Sequence, residues 1–119
     1  MRDYRTLQIW QRGHQLTLAV YAVSRRFPKE ELFALTSQIR RASYSIPANI
    51  AEGCGRDSDA ELKRFLDIAH GSGSELEYFL FLAASLDYLP AKEHAPLANE
   101  VAELKKMIGA FARKLKPDR

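Results

Sequence analysis

Residues suited to metal, thiol or redox chemistry are scarce in this chain of 119 residues, which has one cysteine and three histidines. A lone thiol, Cys54, cannot form an internal disulfide and fits a reducing compartment, where it reads as an incidental thiol. His14, His70 and His94 are scattered, and no His/Cys pair stands at metal-ligand spacing. Neither a metal nor a cofactor is therefore expected. Long apolar runs are also missing, and the opening Met1-Arg2-Asp3-Tyr4-Arg5 lacks the apolar centre of a signal peptide. These absences predict a cytoplasmic protein with no membrane partner. Gly71-Ser72-Gly73-Ser74 lacks both a preceding strand and the Gly-Lys-Ser/Thr ending of a phosphate-binding loop. The small residues there predict a close helix approach instead.

An apolar fraction of 46% with 28% charged residues is that of an ordinary globular protein and not of a disordered one. A chain of this size can bury a core without staples, so one domain over residues 1–119 is expected. The apolar pattern is helical throughout. A first helix is predicted from Thr6 to Phe27, stopped by Pro28. It carries two apolar stripes: Leu7, Trp10, His14, Leu18 and Tyr21 on one side, and Ile9, Leu16, Val20, Val23 and Phe27 on the other. A helix at the edge of a monomeric bundle needs one such face, so the second predicts a further partner.

The second helix is expected to start near Lys29–Glu31, with Leu32, Leu35, Ile39, Ala42, Ile46 and Ile50 as its core stripe, and to end around Gly53–Gly55. Pro47 falls inside it and predicts a bend. Ser58 and Glu61 form a capping-box pattern that opens a third helix running to Leu89, before Pro90. Its predicted core face is Leu62, Phe65, Leu66, Ala69, Gly73, Leu76, Leu80 and Ala83; Phe79–Ala84 is apolar all round, which implies burial on more than one side. A fourth helix, starting near His94–Leu97, carries the seam Leu97, Val101, Leu104, Ile108, Phe111 and Leu115 and is stopped by Pro117. Short connections then favour an all-α, up-down-up-down antiparallel four-helix bundle.

Charge is unevenly spread. Residues 1–28 carry a net +4, residues 29–56 +1, residues 57–90 −5 and residues 91–119 +3. The folded molecule should therefore show basic and acidic regions, and a pI near 9.1 is compatible with nucleic-acid binding.

The run Gln38-Ile39-Arg40-Arg41-Ala42-Ser43-Tyr44-Ser45-Ile46-Pro47-Ala48-Asn49-Ile50-Ala51-Glu52-Gly53 is the most distinctive in the chain. Together with Leu7-x-x-Trp10, Tyr21 to Phe27-Pro28, Arg56, Ala69-His70-Gly71-Ser72, Ser74-Glu75-Leu76-Glu77 and Leu86-x-Tyr88-Leu89, it resembles the bacterial 23S rRNA intervening-sequence protein family. The resemblance covers almost the whole chain. It implies a four-helix bundle assembled into a ring-like homo-oligomer, a homopentamer. Accessory proteins of diversity-generating retroelements look similar in fold and assembly, and they partner a reverse transcriptase and nucleic acid. The family name describes where some members' genes reside and defines no activity.

Beside the core stripe of the second helix runs a polar one, Gln38, Arg41, Ser45, Asn49 and Glu52, which joins Ser72 and Glu75 of the third helix as a polar motif. Ser, Asn and an interior Pro weaken a helix, so these residues have a reason to be there. In a structural reading, Arg and Glu of neighbouring helices pair, and Asn49 ties down backbone freed by Pro47. In a binding reading, Arg40, Arg41 and Arg56 meet phosphate, joined by the basic tail Arg113, Lys114, Lys116 and Arg119. A catalytic role for Glu52 or Glu75 lacks a visible nucleophile or metal, so no catalytic residue is expected. The sequence thus predicts a non-enzymatic homo-oligomer binding RNA, DNA or a nucleic-acid-processing protein through basic surface. The alternative is a protein-interaction scaffold without nucleic-acid affinity.

Overall fold

A computed structural model describes residues 2–115. A 3-10 turn at Tyr4–Thr6 leads into α1 (Gln8–Ser24), a second at Lys29–Glu31 precedes α2 (Leu35–Cys54), and α3 (Asp59–Ser85) and α4 (Ala91–Arg113) complete the chain. Contacts show the helix directions. Gly13 faces Pro47, Thr17 bonds Ser43 and Ser24 bonds Arg40, so α1 and α2 are antiparallel. Ser45 bonds Ser72 and Gly53 faces Leu62, which sets α2 against α3 in the same sense. Lys105 of α4 bonds Glu77 of α3, and Glu100 and Glu93 of α4 receive Arg12 and Arg26 of α1, closing the four-helix ring. The result is the expected up-down-up-down bundle, 48 Å long and about half as wide.

The core follows helical periodicity. All eight residues assigned to the core face of α3 are buried, and so are Leu35, Ile39, Ala42, Ile46 and Ile50 of α2. On α1, Ile9, Leu16 and Val20 are buried with Phe27 beyond the helix, while Val23 is half-buried. The other stripe of α1 lies outside the core: Leu7, Trp10 and Tyr21 are half-buried, and His14 and Leu18 are exposed. On α4, Ala112 takes the core position expected for Phe111, which is half-buried.

Several expected boundaries shift, each for a local reason. α2 begins at Leu35 and not at Lys29–Glu31, because Ala34 adopts φ −124°, ψ −108° and breaks the path from the 3-10 turn. Leu32 therefore precedes the helix and is exposed. Glu31 does not sit in the first turn of α2; its carboxylate accepts the Leu35 N–H at 3.2 Å. α3 stops at Ser85, four residues before the expected end, and the chain turns through Asp87 at φ 63°. α4 starts earlier than expected, at Ala91, with Pro90 as an extended N-cap. Ser58 accepts the Glu61 N–H at 3.1 Å, as the capping pattern predicts. The expected stop at Pro117 lies outside the described residues.

Pro47 lies within a continuous α2. Its missing N–H would have bonded the Ser43 carbonyl four residues back. That acceptor is met from α1: Thr17 Oγ1 stands 3.0 Å from Ser43 O and 2.9 Å from Gly13 O, its one proton shared between them. Asn49, expected to repair this backbone, instead donates to Ser45 O and Ser45 Oγ within its own turn.

Close helix approach occurs at one of the two expected glycines, Gly73, and also at Gly53. Nothing lies within 4 Å of a side chain placed on Gly71, whereas at buried Gly73 a Cβ would come within 2.9 Å of Lys105 Cγ on α4. At Gly53 a Cβ would come within 2.9 Å of both Leu62 Cδ1 and Phe65 Cβ. The tight α2–α3 crossing is therefore beside the connection between the two helices.

Candidate functional site

The candidate residues divide between the two ends of the bundle. Arg40 and Arg41 occupy the second turn of α2, while Arg56 follows its C-terminus, about 24 Å further along the axis. Antiparallel packing places Arg113 and Lys114, at the end of α4, with Arg56. Lys116 and Arg119 lie outside the described residues.

Arg40 is half-buried and held in place. Its Nε donates to Ser24 Oγ at 2.8 Å, and its guanidinium lies 4.8 Å from the centre of the Tyr21 ring. Arg41 is exposed. Neither makes an ion pair among the described residues, and the same holds for Arg25 and Lys29 nearby. Arg26, by contrast, pairs with Glu93, which raises the guanidinium pKa and lowers that of the carboxylate. At the other end Arg56 is committed, donating to Glu52 at 2.7 Å and lying over the Phe65 ring. The expected pairing of Arg with Glu between helices thus occurs within one segment for this pair. The inter-helix pairs use Arg12 and Arg26, which the sequence pattern did not mark.

The polar motif also divides. Asn49, Ser45 and Ser72 form a half-buried hydrogen-bond chain between α2 and α3, with 3.0 Å and 2.8 Å links. This is a structural tie. Gln38 and Glu75 are exposed, and their side chains make no hydrogen bond among the described residues. Glu52 belongs to the Arg56 pair.

Two cavities are bordered by three Lys or Arg side chains each. One of about 390 Å³ lies between α3 and α4, lined by His70, Glu77, Lys105, Lys106 and Arg113, and there Glu77 offsets Lys105 through a 2.8 Å bond. The other, about 220 Å³, lies where α1 ends and α2 begins, and Ser24, Arg25, Lys29, Thr36 and Arg40 line it with no carboxylate. Ser24, Arg25, Lys29 and Thr36 were not legible as site residues. Two stand on α1 or just past its end, the others before and at the start of α2, and only the turn between the helices gathers them.

Cys54 is buried, and desolvation raises its thiol pKa, the opposite of activation. No group of three His, Cys, Asp or Glu side chains among the described residues is arranged to hold a metal ion. No helix among them is long and apolar enough to cross a membrane.

In fold the chain is similar to a solved protein of unknown function from the S23 ribosomal protein family of Bacteroides thetaiotaomicron VPI-5482. The TM-score is 0.82 at 22% identity, over 89% of this chain and 99% of the other. No curated protein matches. The family model for the 23S rRNA-intervening sequence protein matches residues 5–110, nearly the whole helical bundle. Helix order, core pattern and this match agree, and the chain belongs to the 23S rRNA-intervening sequence protein family.

Proposed function

We propose that this protein is a non-enzymatic, self-assembling four-helix bundle of the cytoplasm that binds nucleic acid through basic surface. The observation that carries the reading is the set of three cations, Arg25, Lys29 and Arg40, gathered where α1 meets α2 without carboxylate partners, with exposed Arg41 next to Arg40 on α2. Cations paired with carboxylates have little charge left for a polyanion; unpaired ones can replace counterions along a phosphate backbone. Acid-rich α3 would face away from the nucleic acid. Readout would be weakly dependent on base sequence, since backbone contacts carry none of it. The family resemblance favours a ring of five copies and, as a further partner, a nucleic-acid-processing protein.

Anisotropy of labelled single- and double-stranded RNA and DNA, titrated across salt concentrations, tests the reading. Binding that weakens steeply with salt is expected. No binding at low salt removes it.

A second reading, a protein-interaction scaffold, draws on exposed apolar side chains: Phe33 is 92% exposed and Phe81 62%. Such groups mark contact surfaces when they cluster. Absence of nucleic-acid binding together with a defined particle mass by light scattering would favour it.

A further inference from the structure

The cavity at the α1–α2 turn has the chemistry of a specific anion site. Arg40 enters it as a half-buried, oriented group, because Ser24 holds its Nε and Tyr21 supports the guanidinium plane. With Nε occupied, both terminal nitrogens remain able to donate, the fork that matches two oxygens of one anion. Arg25 and Lys29 border the same space.

Thr36 supplies an independent observation. The residue is 4% exposed and lines the cavity, and its hydroxyl makes no hydrogen bond among the described residues. No fully buried side-chain oxygen or nitrogen among the described residues lacks a partner, so this unbonded hydroxyl is open to the cavity, where a ligand oxygen can meet it. Threonine in a first helical turn commonly bonds backbone, yet this one does not. The nearest carboxylates in sequence are turned elsewhere. Glu31 accepts from Tyr88 Oη at 2.9 Å and from Leu35 N at 3.2 Å, and neither Glu30 nor Glu31 lines the cavity. Thr36 also lies in the first turn of α2, where the helix dipole adds a partial positive charge.

We propose that this cavity binds one phosphoryl group, with Arg40 as the bidentate donor, Arg25 and Lys29 as neutralising cations, and the Thr36 hydroxyl as a fourth contact. The proposal deepens the nucleic-acid reading and rests on it for the choice of a phosphoryl group over other anions. A strand phosphate and a free phosphate ester offer the same oxygens, so the test has an arm for each.

Two substitutions separate the site from general basicity. Thr36→Val preserves shape and charge, removes the hydroxyl, and should lower RNA affinity about fivefold without changing the salt slope. In the absence of ligand it should leave the melting temperature nearly unchanged, because the hydroxyl opens onto the cavity and has no protein partner to lose. Arg40→Gln should weaken RNA binding about tenfold or more and reduce the salt slope by about one. Inorganic phosphate, followed by backbone amide NMR, should shift Lys29 and Thr36 in the wild type and neither in the Arg40→Gln variant.

If the wild type binds RNA and both variants bind equally well, the cavity is not the contact and the proposal falls while the nucleic-acid reading stands. If RNA does not bind but phosphate shifts these amides, the nucleic-acid reading falls and the site is one for a free phosphate ester. Absence of both responses overturns both. Loss of fold in Arg40→Gln, seen by circular dichroism, leaves the decision to Thr36→Val and the wild-type phosphate titration.

Discussion

Thr17 of α1 reaches across to the Ser43 carbonyl of α2, the acceptor that Pro47 leaves without a helical donor. Proline inside a helix ordinarily costs about 3 kcal/mol, part of it from the lost hydrogen bond. Here the replacement donor comes from the neighbouring helix, so one contact both repairs α2 and fixes its register on α1.

Thr17→Val should therefore destabilise the fold by about 1–3 kcal/mol, the cost of stranding a buried acceptor. Pro47→Ala restores an N–H to α2, and in that background Thr17→Val should cost less. Urea unfolding of the four proteins in a double-mutant cycle measures the difference. A coupling below about 0.5 kcal/mol would mean that Ser43 is satisfied without Thr17.

The glycines give opposite expectations. Gly53→Ala places a Cβ 2.9 Å from Leu62 Cδ1 and Phe65 Cβ, and overpacking of this kind costs about 1–3 kcal/mol. Gly71→Ala meets nothing within 4 Å at an exposed helix position, where alanine is favoured by up to about 1 kcal/mol. Thermal unfolding should show a lower midpoint for the first and an equal or higher one for the second. The reverse order would place the close crossing at Gly71.

Apolar spacing was enough to identify the four helices and the full core face of α3, because a stripe at helical period points one way whatever its neighbours are. It pointed to Gly73, which does meet α4 closely, but it could not locate the tight α2–α3 crossing at Gly53. Gly53 and Gly71 look alike in sequence, and which one meets a second helix depends on how far α2 runs before it turns. The start of α2 was hidden for a related reason. Glu30 and Glu31 read as first-turn acids, but Ala34 breaks the path and Glu31 caps the later helix from outside. Arg40 and Arg41 were legible as cations. That Arg40 is oriented by Ser24 and shares a cavity with Thr36 depends on antiparallel pairing, which no local pattern contains.

The Tyr88–Glu31 bond gives a titration signature. The carboxylate accepts the phenolic proton at 2.9 Å, and this bond, more than burial, raises the Tyr88 pKa above its ordinary value of 10.0. A raised folded-state pKa contributes stability that is complete below the unfolded value and disappears as pH rises through the folded one. Tyr88 should therefore ionise later than an ordinary phenol in an ultraviolet titration above pH 10, and Glu31→Gln should bring it back toward the ordinary value. An unchanged profile in that variant would show that the bond does not form in solution.

Self-assembly is expected to draw on side chains the isolated bundle leaves uncovered. Tyr78 and Phe81 are 56% and 62% exposed and lie three residues apart on α3, so they share one outward patch, whereas Phe33, at 92%, lies before α2 beside exposed Leu32. Truncating any of them removes little buried area from the single chain, so thermal stability of the monomer should hardly change. Tyr78→Ser with Phe81→Ser should shift the light-scattering mass toward the 13.5 kDa of one chain while the far-ultraviolet circular dichroism stays helical. Phe33→Ser made separately shows whether the α1–α2 turn belongs to the same interface: a mass reduced by either variant assigns that patch to the assembly, and an oligomer unaffected by both places its interface elsewhere. A wild type that is already monomeric at every accessible concentration would remove self-assembly from the proposed function, leaving these aromatics to be covered by a different protein.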